Sequence, residues 1–286
     1  MRADRVLMVD WSGGNDRGPR PKKDAIWTCA AEGGRAESPV YRRNRQEAES
    51  ALASEIEAAL IAGRRLLVGL DFPFGYPEGF AAAIAGRPDP FALWRWIADR
   101  MEDGPRANAR FDVAALMNRC LPGIGPFWGN ALKRDIDDLP RRGNDRTFRW
   151  APARRACERL ATGAFEVWQL SGAGSVGGQV LTGLPVLDRL RARFAPHLEV
   201  WPFEGRDAPV LVAEIWPSLI ADAVRTGTRP GEIRDAAQVR LLAGALSGMP
   251  PDALAQMLAG GGGEEGWILG LGQEAVLAAA AAARAA

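Results

Sequence analysis

Histidine is nearly absent: His197 stands alone in 286 residues. A triad or zinc centre built on imidazole would have to use it, and no serine or cysteine motif lies nearby. Cysteine is scarce too. Cys29, Cys120 and Cys157 are odd in number and far apart, so they form neither a CxxC pair nor a disulfide framework. They read as small core residues in a reducing compartment. No run reaches the roughly 20 apolar residues of a membrane span. The apolar stretch after Arg5 is too short for a signal peptide and ends in an aspartate, which predicts a cytoplasmic protein with no membrane partner. A surplus of charge is also missing. The net charge of +1 gives no global electrostatic case for nucleic acid, which stays an open partner without support from charge. Arginine heavily outnumbers lysine, as expected from a GC-rich coding bias.

What the chain does have is apolar material. At 47% hydrophobic residues it can bury a large core, and its length is compatible with a single domain over residues 1–286. Arg5 to Asp10, Ala25 to Ala31 and Ala36 to Tyr41 read as strands, the last two separated by the turn signal EGG. Gln46 to Ala62 has helical spacing and stops at Gly63. Leu66 to Asp71 is a short continuous apolar strand of the doubly buried kind. The chain therefore opens β-β-β-α-β, which predicts an α/β fold with a mixed sheet. A long helical insertion is expected over about 76–195. Strands then recur in LEVWPF and VLVAEIWP, followed by helices in EIRDAAQVRLLAGAL, DALAQMLA and the alanine-rich tail.

Three strands end in an acid. VDWSGG places Asp10 there, GLDFPFG places Asp71 and AEIWPS places Glu214. Each acid precedes a chain-breaking segment that turns the backbone away and leaves the carboxylate at the sheet's rim, where open α/β folds bind ligands. Carboxylates gathered there repel one another. A divalent cation, Mg²⁺ or Mn²⁺, would remove the conflict and prepare a site for phosphoryl chemistry. Asp235, in the first turn of a helix followed by small residues, is a fourth candidate; its alternative role is a favourable interaction with the helix dipole.

These elements and motifs resemble the ribonuclease H-like fold and, within it, the family known as DUF429, described as predicted nucleases. The resemblance rests on VDWSG, GLDFPFG, EIWPS and RDAAQ and covers roughly residues 5–75 and 205–247. It implies a catalytic metal site of Asp10, Asp71, Glu214 and Asp235. The expected activity is metal-dependent hydrolysis of a phosphodiester or a small phosphorylated substrate. Two other functions remain open. VDWSGG looks somewhat like the phosphate turn of actin-like and sugar-kinase phosphotransferases, although no second copy of the meander is present. A non-catalytic binding protein for a small phosphorylated or dinucleotide ligand is also compatible.

The loop SGAGSVGGQ is rich in conformational freedom and hydrogen-bonding groups. With Ser12, its residues Ser171, Gly172, Ser175 and Gln179 are candidates to bind substrate, cradling a phosphate with backbone N–H groups. Lys133, Arg134, Arg141, Arg142, Arg146, Arg149, Arg154 and Arg155 form a basic segment interleaved with Phe148 and Trp150. It reads as either a solvated surface or a contact for phosphates and bases. Trp94 and Trp96 are two apart on one helix, so at most one faces the core. Glu264 and Glu265 are either extra acids for the site or caps for a helix.

Overall fold

The computed structural model describes residues 3–16 and 18–285. Among them, seven strands form one mixed sheet. Strand β1 (Arg5–Asp10) pairs antiparallel with β2 (Ile26–Glu32) on one side and parallel with β5 (Leu66–Leu70) on the other. Strand β7 (Val210–Glu214) runs parallel to β5, and β6 (Leu198–Val200) runs parallel to β7. The third expected strand, Ala36 to Tyr41, is broken. It divides into β3 (Arg35–Ala36) and β4 (Val40–Arg42), both paired with β2. Pro39 lies in the gap, where it has no N–H to give to a ladder.

The crossover from meander to β5 is α1 (Arg45–Ile61). The Asn44 side chain caps it by accepting from Glu47 N at 2.8 Å. Then follow α2 (Phe80–Ala85), α3 (Pro90–Ala98), α4 (Arg110–Arg119), the five-residue α5 (Ala156–Leu160) and α6 (Gly177–Phe194). Within APARRACERLATG only α5 is helical, while α6 begins inside the glycine-rich segment. After β7 come α7 (Ala221–Gly227), α8 (Arg234–Ser247), α9 (Pro251–Met257) and α10 (Glu274–Ala282). No helix among the described residues is long and apolar enough to cross a membrane.

The sheet is buried on both faces. Leu7, Val9, Leu66, Val68, Leu70, Val210 and Val212 point to one face, into a core shared with α1, α3, α4 and α6. Val6, Met8, Leu67, Leu211 and Ala213 point to the other, under α8, α9 and α10. This is the period-two alternation of strands, with both rows apolar. Helix α6 is therefore part of the main core and not a peripheral addition. Trp94 is fully buried in that core, whereas Trp96 lies half-buried with the Arg100 guanidinium 4.1 Å from its ring centre. The alanine-rich tail is docked through Leu277 and Ala281.

Candidate functional site

The alternation decides where each strand-end acid goes. Asp10 continues the row of Val6 and Met8, and Asp71 continues the row of Leu67 and Gly69, both toward the face covered by α8. The strands are adjacent and parallel, with Asp71 N donating to Val9 O at 3.0 Å. Glu214 continues the row of Val210 and Val212, toward the opposite face.

The segment after Asp10 is clamped from several sides. Trp11 is buried, its indole N–H donating to Thr182 Oγ1 at 3.4 Å. Gln179 Nε2 donates to Trp11 O at 2.7 Å. Arg45 Nη1 donates to the carbonyls of Ser12 and Gly14 at 3.1 and 2.6 Å. Gly13 packs directly on the start of α6, where a Cβ would stand 2.6 Å from the carbonyl carbon of Gly178. Only glycine permits that approach. A rigid turn of this kind fixes the carboxylate at its base.

Asp10 and Asp71 are electrostatically frustrated. Burial drives Asp10 well above the ordinary carboxylate range, and the charges of Asp71, Asp235 and Asp24 push the same way. Asp71 is raised to about 8 by burial, then by Glu214 and Asp235. Among the described residues no donor hydrogen-bonds to either carboxylate side chain and no cation pairs with it. Asp235, in the first turn of α8, is also raised, chiefly by burial, although its Oδ2 accepts from Asp24 N at 2.7 Å. Ala236 and Ala237, both buried, let α8 lie close to the sheet, as their size predicts. Asp24 itself sits at a φ of 56°, an uncommon conformation for a side-chain-bearing residue, and its carbonyl accepts from Ser12 Oγ at 2.9 Å. Asp24 thus ties the β1 turn to the third acid.

Glu214 has a different role from the one expected. Both its oxygens are occupied by Arg155, with Nη2 to Oε1 at 2.6 Å and Nη1 to Oε2 at 2.8 Å. Phe74 N also donates to Oε2 at 3.1 Å. Arg155 is itself buried and uses Nε on Glu158 at 2.6 Å. Burial alone would lower Arg155, but Glu158 and Glu214 outweigh it and hold the guanidinium firmly protonated. The expected metal ligand is therefore half of a structural ion pair. Among the described residues, moreover, no three Asp, Glu, His or Cys side chains are grouped to hold one ion, so the four-carboxylate shell is not assembled.

Asp10 and Asp71 are the residues that could hold a hard cation. Mg²⁺ is commonly held by one or two carboxylates, with water and substrate oxygens completing the shell. Asp10 and Asp71 supply two ionisable groups with no counter-charge paired to them among the described residues. Beside Asp71 is a cavity of about 40 Å³, lined in part by Pro73, Gln179, Glu214 and Trp216. That volume is enough for a water molecule.

No family model, curated protein or solved structure matches this chain. Function must accordingly be argued from the site itself.

The other expectations divide. Gln179 reaches the site, lining the cavity beside Asp71. Ser12 and Ser171 are used internally: Ser12 Oγ accepts from Gly14 N at 3.2 Å, and Ser171 Oγ donates to Gly129 O at 2.5 Å. Gly172 takes a φ of +92° and Ser175 N donates to its carbonyl, closing a turn. Gly177 N is committed to Gln169 O at 3.0 Å. The Ser171 hydroxyl and the Ser175 and Gly177 N–H groups are thus spent on the loop's own fold. Glu264 and Glu265 act at helix starts. Glu264 accepts from Gly79 N just before α2, and Glu265 accepts from Ala156 N, the first residue of α5, at 2.6 Å. The basic segment does not form one face, because Arg155 is buried and Arg134 and Arg141 pair with Asp112 and Asp135. His197 lies with Arg65 and Asp207 at the opposite edge of the sheet.

Proposed function

We propose that the protein is a divalent-cation-dependent hydrolase of phosphate esters, with a ribonuclease H-like arrangement of its sheet. The observation that carries this reading is the pair Asp10 and Asp71: two carboxylates at the ends of adjacent parallel strands, both shifted upward, neither with a hydrogen-bond donor or a cationic partner among the described residues. A protein gains nothing in stability from such a pair, and unsatisfied acids of this kind concentrate at functional sites. The fold supports the same reading. A meander, a crossover helix and a parallel strand bring acids from the first strand, the strand after the helix and a late helix to one edge, as the resemblance to DUF429 implies.

In this scheme Asp10 and Asp71 hold Mg²⁺ or Mn²⁺, which would supply positive charge to a phosphate oxygen and a polarised water. Asp235 adds negative potential from α8 and orients the turn through Asp24. Glu214 and Arg155 keep β5, β7 and α5 in register and take no part in the chemistry.

The test is calorimetric titration with Mn²⁺ alongside hydrolysis of bis(4-nitrophenyl) phosphate. Asp10→Asn is expected to remove Mn²⁺ binding and to slow hydrolysis at least about a hundredfold, equivalent to roughly 2.7 kcal/mol of transition-state stabilisation. Asp235→Ala, acting from outside the cation's immediate ligands, should weaken Mn²⁺ by about tenfold. Wild-type protein that binds no Mn²⁺ would defeat the proposal.

A further inference from the structure

An open groove of about 610 Å³ does not include Asp10 or Asp71. It lies against the other side of the β1 turn, between Asn15, Asp16, Gly18 and Lys22 and the start of α4. Among the described residues its charged lining is Lys22, Arg106, Arg110 and Asp16. Lys22 stands 3.4 Å from Asp16 in an ion pair.

Arg110 is the informative residue. Its Nη1 donates to Gly13 O and to Asn108 Oδ1, each at 2.9 Å. These contacts fix the guanidinium against the turn that follows Asp10. Among the described residues no carboxylate forms an ion pair with it, Nη2 has no acceptor, and Nε is buried without a partner. Burial and the neighbouring charge of Arg45 lower its pKa to about 10, against the opposing charge of Asp103, which is itself paired with Arg45. A guanidinium held rigid, short of counter-charge and bordering a groove of positive sign is suited to an anion with several acceptor oxygens.

We infer that this groove binds a phosphate group, with Arg110 and Lys22 as its principal cations. Arg110 and Lys22 on the wall of the groove favour the doubly charged phosphate of a monoester over a diester. The turn that carries Asp10 is shared between groove and acid pair. An ester spanning it would place a terminal phosphate in the groove and its next phosphate toward Asp10 and Asp71. That second statement rests on the proposed hydrolase activity; phosphate binding in the groove does not.

The experiment is done in EDTA, so that cation binding plays no part. Wild type, Arg110→Met, Lys22→Gln and Asp71→Asn are titrated with inorganic phosphate, and circular dichroism checks that each is folded. Wild type and Asp71→Asn should bind phosphate equally. Both groove variants should bind about tenfold or more weakly, the loss expected for one charge-assisted contact. No binding by wild type overturns the inference. So does unchanged binding by Lys22→Gln, which guards against an indirect effect of Arg110 on the turn. A thymidine dinucleotide with a 5′-phosphate should also bind wild type more tightly than one without it. Equal binding of the two, with phosphate binding intact, would overturn the substrate assignment and leave the pocket.

Discussion

Replacing Asp71 by Asn should stabilise the cation-free protein, and the pH dependence of that gain is its signature. The unfolded carboxyl ionises near 3.8 and the folded one near 8. Because the folded value is the higher one, the carboxyl's favourable contribution is complete below 3.8. It is lost progressively as pH rises through about 8. At pH 7 the full shift corresponds to a penalty of about 4 kcal/mol, at roughly 1.4 kcal/mol for each pH unit above the unfolded value. Asp71 keeps some contact with solvent, which screens part of this and leaves about 2 kcal/mol. Asparagine keeps the shape and carries no charge. Urea denaturation in EDTA at several values between pH 4 and pH 9 should show equal stabilities at the acid end and a growing advantage for Asp71→Asn above it. The slope of free energy against urea should be unchanged. Mn²⁺ should then reverse the order, because a cation at a hundred times its dissociation constant stabilises the folded wild type by about 2.7 kcal/mol and the variant hardly at all. A variant less stable than wild type at pH 7, or a gain that is the same at pH 4, would show that Asp71 is a structural residue and refute the reasoning.

Two further outcomes test the surroundings of the site. Arg155→Met should cost about 3–5 kcal/mol in urea denaturation, because it strands the buried Glu214 and Glu158 charges. Adding Glu214→Gln should recover part of that loss, and no recovery would mean that the two residues are not coupled. Gly13→Ala pushes a Cβ into the backbone of Gly178. It should destabilise by about 1–3 kcal/mol and reduce phosphodiester hydrolysis by more than the loss of folded protein explains. Unaltered activity would show that the position of the turn is not critical.

Much of the secondary structure is determined locally. Asn44 and Gly63 bracket α1, short apolar runs form β1, β5 and β7, and each run ends in an acid before a chain-breaking segment. A strand ends where turn residues begin, so acids at the sheet's rim are legible in the sequence. Which face each acid takes is not. Strands buried on both faces are apolar at every position and carry no alternation to read. Only the register of β1, β5 and β7 sends Asp10 and Asp71 toward α8 and Glu214 the other way. Charge compensation is equally non-local. Arg155 lies 59 residues from Glu214 in the chain and stood in a basic segment that resembled a surface. Burial turned one of its arginines into the counter-ion of an apparent metal ligand. The tertiary structure alone decided which strand-end acids are satisfied by the protein and which remain without a partner, because a carboxylate's counter-charge is supplied by whatever the fold packs against it.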